Sequence, residues 1–340
     1  MNDKINTRKL DHLKVIAEDK DVERSGSGFD AIRLTHRGLP ELDFAEIDSS
    51  VEFLGKTLSM PLIISSMTGG DSDEILRINK NLALAAEETG IAMAVGSQRV
   101  MFSNPKAARS FELRAFAPNA LLLSNLGAVQ LNYELGLEHA QKAIETLGAD
   151  GLYLHLNPLQ EAIQPEGDLN FANLSEKIAD LVQSLDKPIL LKEVGCGLSP
   201  KDIELGLKAG IETFDLAGRG GTSWSRIEYH RRARDNDDMG LLFQDWGMTT
   251  VEALVQAQAF KDRARFVASG GVRSGIDMAK AIIIGAQVCG VAAPFLVAAK
   301  QSAQAVVDQI EVFRREFKTA MFLLGCQNCS ALRNNSSLVI

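Results

Sequence analysis

An α/β fold, specifically a (β/α)8 TIM barrel with an N-terminal extension and a long loop after strand 6, is predicted by this 340-residue sequence. Three observations lead there. Eight short apolar runs punctuate the chain, each is followed by a stretch with helical periodicity, and nearly all end in glycine or a small, polar or ionisable residue. Apolar runs of this length, alternating with helices, read as parallel strands buried on both faces. Eight such units fit a closed barrel, whose active site gathers at the C-terminal ends of the strands.

The runs are PLIISS from Pro61, IAMAV from Ile91, ALLLSN from Ala120, GLYLHLN from Gly151, PILLKEV from Pro188, IETFDLAG from Ile211, RFVASGG from Arg265 and VCGVAA from Val288. Helical patterning is expected over Asp73–Thr89, Tyr133–Leu147, Phe171–Leu185, Pro200–Ala209, Thr250–Lys261, Ser274–Ile284 and Pro294–Leu324, the last with a break. Residues 1–60 form the extension, 61–325 the barrel and 326–340 a C-terminal tail. Within the extension, Lys9–Asp19 reads as helix, Ser25–Gly28 as a flexible break, LTHRGLPELDF as loop and VEFLGKTL as a short hairpin closing the barrel floor. Gly218–Gly247 is too long for an ordinary connection in a compact domain. Over the barrel mouth it is a candidate lid, or a surface insertion with a helix of its own.

A net charge of −8 argues against a nucleic-acid surface, which needs a basic face. No apolar stretch approaches a membrane span, and the N-terminus lacks a signal-peptide apolar region, so a cytoplasmic protein is expected. Four cysteines are too few for a disulfide scaffold. Cys326 and Cys329 form a CxxC without the further ligands a structural zinc needs, and read as thiols at a helix end. Nothing adjacent marks Cys196 as a nucleophile.

The strand endings carry the chemistry. Ser65–Gly70 (SSMTGG) lets backbone approach a flat ligand, or makes a tight turn. Arg99, in GSQR, offers a planar fork to phosphate or carboxylate, or a surface ion pair. Asn125 suits a heterocycle edge, or caps a helix. His155–Glu161 (HLNPLQE) is the richest cluster, and Glu161 suits a divalent cation shared with substrate phosphate. Lys192, ending an apolar strand, needs an anion or an electron-rich group opposite; a Schiff-base lysine and a fixed cation both fit. SGGVRSG, before a helix, with VAAP at Val291–Pro294, reads as a phosphate cup. Arg8 and His12, with Lys9 between them, lie four apart and share a face if helix begins there.

Taken together, RKLDH, SSMTGG, GSQR, SNLGA, HLNPLQE, KEVGCG, DLAGRGGTSW, QDWG, SGGVRSG and VAAP resemble the type 2 isopentenyl-diphosphate delta-isomerases, the FMN-dependent class, over nearly the whole chain. SGGVRSG is common to FMN barrels; RKxDH with HLNPLQE and GRGGTSW is specific. Met248-Thr249 departs from the aliphatic-Pro pair frequent in the family after DWG. The resemblance implies that Ser66, Met67, Thr68, Ser97, Asn125, Lys192 and Thr222 surround the flavin ring and ribityl chain. It places Gly270, Gly271, Val272, Arg273, Ala292 and Ala293 at the FMN phosphate. Arg8, Lys9, His12, Ser97, Gln98, Arg99, His155, Asn157 and Gln160 would contact substrate, Gln160, His155 and Lys192 would be catalytic, and Glu161 would bind Mg²⁺. It further implies reduced FMN as the active form, NADPH as reductant, isopentenyl and dimethylallyl diphosphate as the reacting pair, and a homo-oligomer (tetramer or octamer). Flavin oxidoreductases of 2-hydroxy acids share the cup, but seek a histidine base in an SNHG-type segment where this chain has DLAGRGGT.

Overall fold

The computed structural model describes residues 11, 12, 14–16, 18–232 and 237–340. A two-stranded antiparallel hairpin, β1 (Val51–Phe53) and β2 (Lys56–Leu58), precedes the barrel. The barrel strands are β3 (Leu62–Ile64), β4 (Ala92–Ala94), β5 (Leu122–Gly127), β6 (Gly151–Leu156), β7 (Ile189–Glu193), β8 (Thr213–Asp215), β9 (Arg265–Ser269) and β10 (Val288–Val291). They run parallel in sequence order, and β10 closes the ring on β3 with Cys289 opposite Leu62. Each apolar run of the sequence supplies one of these strands.

Two faces of each strand build two cores. Ile63, Ala92, Ala94, Leu123, Tyr153, Leu190, Val267 and Val288 point inward and fill the barrel, while neighbours such as Leu62, Ile64, Met93, Leu122, Leu152, Leu191 and Phe266 pack outward under the helices. This is the two-sided burial that makes barrel strands continuously apolar. Val51, Phe53 and Leu58 of the hairpin join the inner cluster. Lys56 Nζ donates to the carbonyls of Asn119 (3.1 Å) and Ala120 (3.2 Å), and Gln287 Nε2 to Glu52 O (2.7 Å), which pins the hairpin where strands begin.

Helix limits follow local capping chemistry. The expected helix over Asp73–Thr89 is present with those bounds, started by Ser72 and stopped by Gly90 at positive φ. The Tyr133–Leu147 stretch turns helical only at Leu137, because Ala128–Asn132 is a 3₁₀ turn and Gly136 intervenes. The next helix starts at Leu174 rather than Phe171, since Asn173 adopts a left-handed conformation (φ 53°). Thr250–Lys261 divides into the helix Thr250–Ala257 and a 3₁₀ turn. Ser302 breaks the last run into Ala293–Gln301 and Ala303–Leu324, its side chain accepting from Ala305 N.

The connection after β8 carries the helices Trp224–Arg232 and Met239–Leu242. It is tied to the N-terminal extension. Ser223 N donates to Val22 O (2.8 Å) and Arg24 N to Gly221 O (2.9 Å), while Asp19 accepts from Arg226 Nε and His230 Nε2, both at 2.6 Å. The Arg226 hydrogen bond, against a smaller opposing effect of burial, holds the Asp19 carboxyl far below the usual carboxylate range. Among the described residues no helix is long and apolar enough to cross a membrane.

Candidate active site

The C-terminal ends of the strands surround one cleft, lined by Ser65–Thr68, Ser97, Arg99, Asn125, His155, Asn157, Gln160, Glu161, Lys192, Thr222, Gly270, Gly271, Arg273, Ala292 and Ala293. One wall is backbone. Gly270 and Gly271 have φ of +98° and +80°, and a Cβ on them would lie 1.9 Å from Gly218 O and 2.3 Å from Gly220 O. Only glycine permits both the conformation and the approach. The amides of Gly270, Gly271 and Ala292 donate to no other described residue, and the helix Ala293–Gln301 starts there without a side-chain cap. These open donors suit an anion. The helix Gly275–Ile283 contributes less than its sequence suggests: Arg273 N (3.0 Å) and Ser274 N (3.1 Å) are spent on Asp277, and Gly275 N (2.7 Å) on Glu316. The cup is therefore made by the glycines and the β10 turn. Thr68 Oγ1, also on the cleft, is buried without a hydrogen-bond partner among the described residues.

The opposite wall is polar. From the end of β6, His155 Nδ1 donates to Asn125 Oδ1 (2.7 Å), and Asn125 Nδ2 donates to Ser66 Oγ (2.7 Å). Asn125 thus links two strand ends rather than capping a helix. The turn into the helix Pro158–Ile163 gathers the rest of the cluster. Asn157 Nδ2 donates to Glu161 Oε1 (2.8 Å) and Gln160 Oε1 (3.1 Å); Glu161 Oε2 accepts from Asp168 N (2.8 Å) and Gln164 Nε2. Asn157 Oδ1 is buried without a hydrogen-bond partner among the described residues. One buried carboxylate and this amide oxygen are hard donors suited to Mg²⁺, and no group of three or more His, Cys, Asp or Glu among the described residues forms a complete cage. Such a half-site fits a cation whose remaining ligands come from substrate phosphate and water.

The insertion after β8 reaches this wall. Glu228, fully buried on the helix Trp224–Arg232, accepts from Gln160 Nε2 (3.0 Å), lies 3.2 Å from His12 Nε2 and pairs with Arg231 at 2.5 Å. Burial pushes its carboxyl up, but His12, Arg231 and Gln160 outweigh that and bring it down to about 2. Trp224 meets the His12 ring edge-on, with centroids 5.3 Å apart.

Lys192 pairs with Asp215 and not with the adjacent Glu193, which the strand turns to the opposite face. Its Nζ lies 2.7 Å from Asp215 Oδ2 and 3.2 Å from Ser269 Oγ, and Ser269 Oγ donates to Asp215 Oδ1 (2.5 Å). The three residues come from adjacent strands, with Lys192 and Asp215 in register. Glu193 points away and accepts from the amides of Val194 (2.6 Å), Gly195 (2.6 Å) and Gly197 (3.2 Å), and from that of Cys196. Burial lifts it to about 7, against the pull of those amides and Lys192.

The structure turns the side chains of two expected site residues away from the cleft. Gln98 does not line the cleft: it is fully buried, donating to Ala143 O (2.9 Å) and accepting from Asn125 N (3.1 Å), because its strand end turns it into the layer under the helices. Val272 also turns its side chain into the core, so only its backbone is near the cup. Arg8 and Lys9 lie outside the described residues; His12 does line the cleft. Arg273 lines it while paired to Glu23, which also accepts from Thr222 Oγ1 (2.6 Å). Cys196 is half-buried and lies off this cleft, its thiol pushed up to about 12 by burial and by Glu193, which makes it a poor nucleophile. Cys326 and Cys329 are free and buried. Asp215, Ser269, Glu228 and Asp168 escaped sequence reasoning; only Asp215 and Ser269, polar residues in the last positions of apolar strands, carried a signal there.

A family model described as FMN-dependent dehydrogenase matches residues 137–339. Isopentenyl-diphosphate delta-isomerase of Paracoccus zeaxanthinifaciens is 61% identical over 98% of this chain and 96% of its own length. Those of Hydrogenovibrio crunogenus (58%; 99% and 98%) and Archaeoglobus fulgidus (43%; 96% and 93%) are similar along the same span. Among solved structures, a flavocytochrome b2 variant with sulfite bound superposes with a TM-score of 0.69 at 20% identity, covering 92% of this chain and 76% of that one, and shares the fold. The closed eight-stranded parallel barrel is the fold of a flavin-dependent enzyme family. The chain belongs to the FMN-dependent dehydrogenase family and, within it, to the isopentenyl-diphosphate delta-isomerases.

Proposed function

We propose that the protein interconverts isopentenyl and dimethylallyl diphosphate in isoprenoid biosynthesis, using reduced FMN and Mg²⁺. The observation that carries this reading is that one cleft joins a glycine-walled cradle with open amides to the His155–Asn157–Gln160–Glu161 cluster facing it, in a chain so similar to enzymes of that name. FMN would lie with its phosphate at Gly270, Gly271, Val272, Arg273, Ala292 and Ala293, and its ring and ribityl chain among Ser66, Met67, Thr68, Ser97, Asn125, Lys192 and Thr222. When bound and reduced, it supplies an electron-rich plane for proton exchange with an alkene, without net redox change.

The chain's own residues bind, orient and exclude water. Arg99, His155, Asn157, Ser97 and His12, with Arg8 and Lys9, would hold the diphosphate, and Glu161 would hold Mg²⁺ to offset its charge. This anchor, remote from the reacting carbons, supplies binding energy to orient them. Asn157 and Glu228 fix the Gln160 amide from both sides, so it faces substrate in one orientation. Lys192, with Asp215 at 2.7 Å, serves better as a fixed cation than as a Schiff-base amine, which must be unprotonated to attack. Trp224 lines the cleft from the insertion after β8, and Glu228 is buried behind it against Gln160 and His12. The same reading carries NADPH as reductant and a cytoplasmic homo-oligomer (tetramer or octamer), as the resemblance of the sequence motifs implies.

Purified protein given FMN, Mg²⁺ and NADPH without oxygen is expected to convert isopentenyl diphosphate, and to be inactive when oxidised. Absence of conversion under reducing conditions refutes the reading. Glu161→Ala is expected to lose Mg²⁺-dependent turnover while retaining FMN absorbance.

A further inference from the structure

We infer that Asp168 is a positioning residue for the diphosphate site, holding the Arg99 guanidinium in its working orientation. The inference rests on the diphosphate reading above. Asp168 follows the helix Pro158–Ile163, in a loop folded back on that helix. Gly167 permits the fold: a Cβ there would stand 1.8 Å from the Glu161 carbonyl oxygen. The fold brings the Asp168 amide onto Glu161 Oε2 (2.8 Å), and its carboxylate across to two other strand ends. Asp168 Oδ2 accepts from Arg99 Nη1 (2.7 Å), beyond β4, and from Gln130 Nε2 (2.7 Å), beyond β5. Gln130 is itself buried at the edge of the cleft, so its amide holds the carboxylate in place.

The Arg99 side chain makes no other hydrogen bond to a described residue, and it lines the cleft. One edge of its fork is thus committed to Asp168 and the remaining donors are left for an anion. A long, rotamer-rich side chain held this way loses little freedom when a diphosphate arrives. Through its amide, Asp168 also sets Arg99 at a fixed spacing from Glu161. The opposite role is physically possible and has the opposite sign: a carboxylate beside Arg99 repels a polyanion, and if it only neutralised the cation, its removal would strengthen binding.

The test compares wild type, Asp168→Ala and Asp168→Glu as FMN-loaded proteins. The affinity for inorganic pyrophosphate is read by calorimetry, and KM and kcat for isopentenyl diphosphate by assay. For Asp168→Ala, both the pyrophosphate Kd and KM are expected to rise about tenfold, equivalent to about 1.4 kcal/mol, with kcat within about twofold, since Arg99 itself remains. Asp168→Glu restores part of that loss. Gln130→Leu, which removes the second donor to the carboxylate, shifts Kd the same way by less. Unchanged or tighter pyrophosphate binding in Asp168→Ala overturns the inference, as does a fall in kcat with KM held. Wild type that holds FMN but fails to bind pyrophosphate overturns the diphosphate reading itself, and this inference with it.

Discussion

Among single residues, Glu228 carries the sharpest consequence. Its carboxyl lies at about 2 against an ordinary 4.5, so its ionised form is favoured by the fold. That contribution is present above pH 4.5 and is lost as pH falls from there through 2, by about 3 kcal/mol in all. Glu228→Gln is therefore expected to be less stable than wild type in urea at pH 6, with the gap narrowing toward pH 3. A gap independent of pH would dissociate Glu228 from the ion pairs with His12 and Arg231. Glu228 also shows where sequence reading stops. It sits in a polar helix beyond the barrel alternation, and nothing in SWSRIEYHRR distinguishes its one buried acid from a solvated one. Asp168 is hidden for a related reason, since its partners Arg99 and Gln130 lie 69 and 38 positions away.

The secondary-structure elements were the most legible level. Strand runs such as PLIISS and RFVASGG stand out because both faces of a barrel strand are apolar. Helix starts drifted where the deciding feature was a backbone state, as at Asn173, or a 3₁₀ turn, as at Ala128–Asn132. Packing of the helix Pro200–Lys208 on the barrel depends on Gly206, where a Cβ would come within 2.5 Å of the Phe214 ring and 2.9 Å of Leu191. Gly206→Ala is expected to cost about 1–3 kcal/mol through overpacking, read as a lower urea midpoint with unchanged slope. The arm and the insertion after β8 meet at Asp19, Arg226 and His230. Arg226→Ala is expected to speed amide exchange over residues 20–24 severalfold while β3–β10 exchange as before. Equal protection in both proteins would show that the backbone bonds of Val22 and Arg24 hold the arm unaided.

At the scale of the whole molecule, a barrel whose cleft is walled by backbone gains stability from what fills it. FMN at a thousand times its dissociation constant is expected to add about 4 kcal/mol to unfolding, raising Tm measurably, whereas riboflavin, lacking the phosphate, gives a smaller rise. Equal effects of the two would remove the glycine cup from the binding site. The barrel itself was written in the alternation of the chain, and the cleft in its strand endings. The long-range pairings that complete the site, such as Lys192 with Asp215 rather than Glu193, required the closed ring. That ring has a stopper: Val51, Phe53 and Leu58 fill its lower end. A vessel with one opening imposes an order of traffic. On the proposed placement, a flavin seated beneath the substrate would leave only after it, and turnover would exchange the outer guest alone.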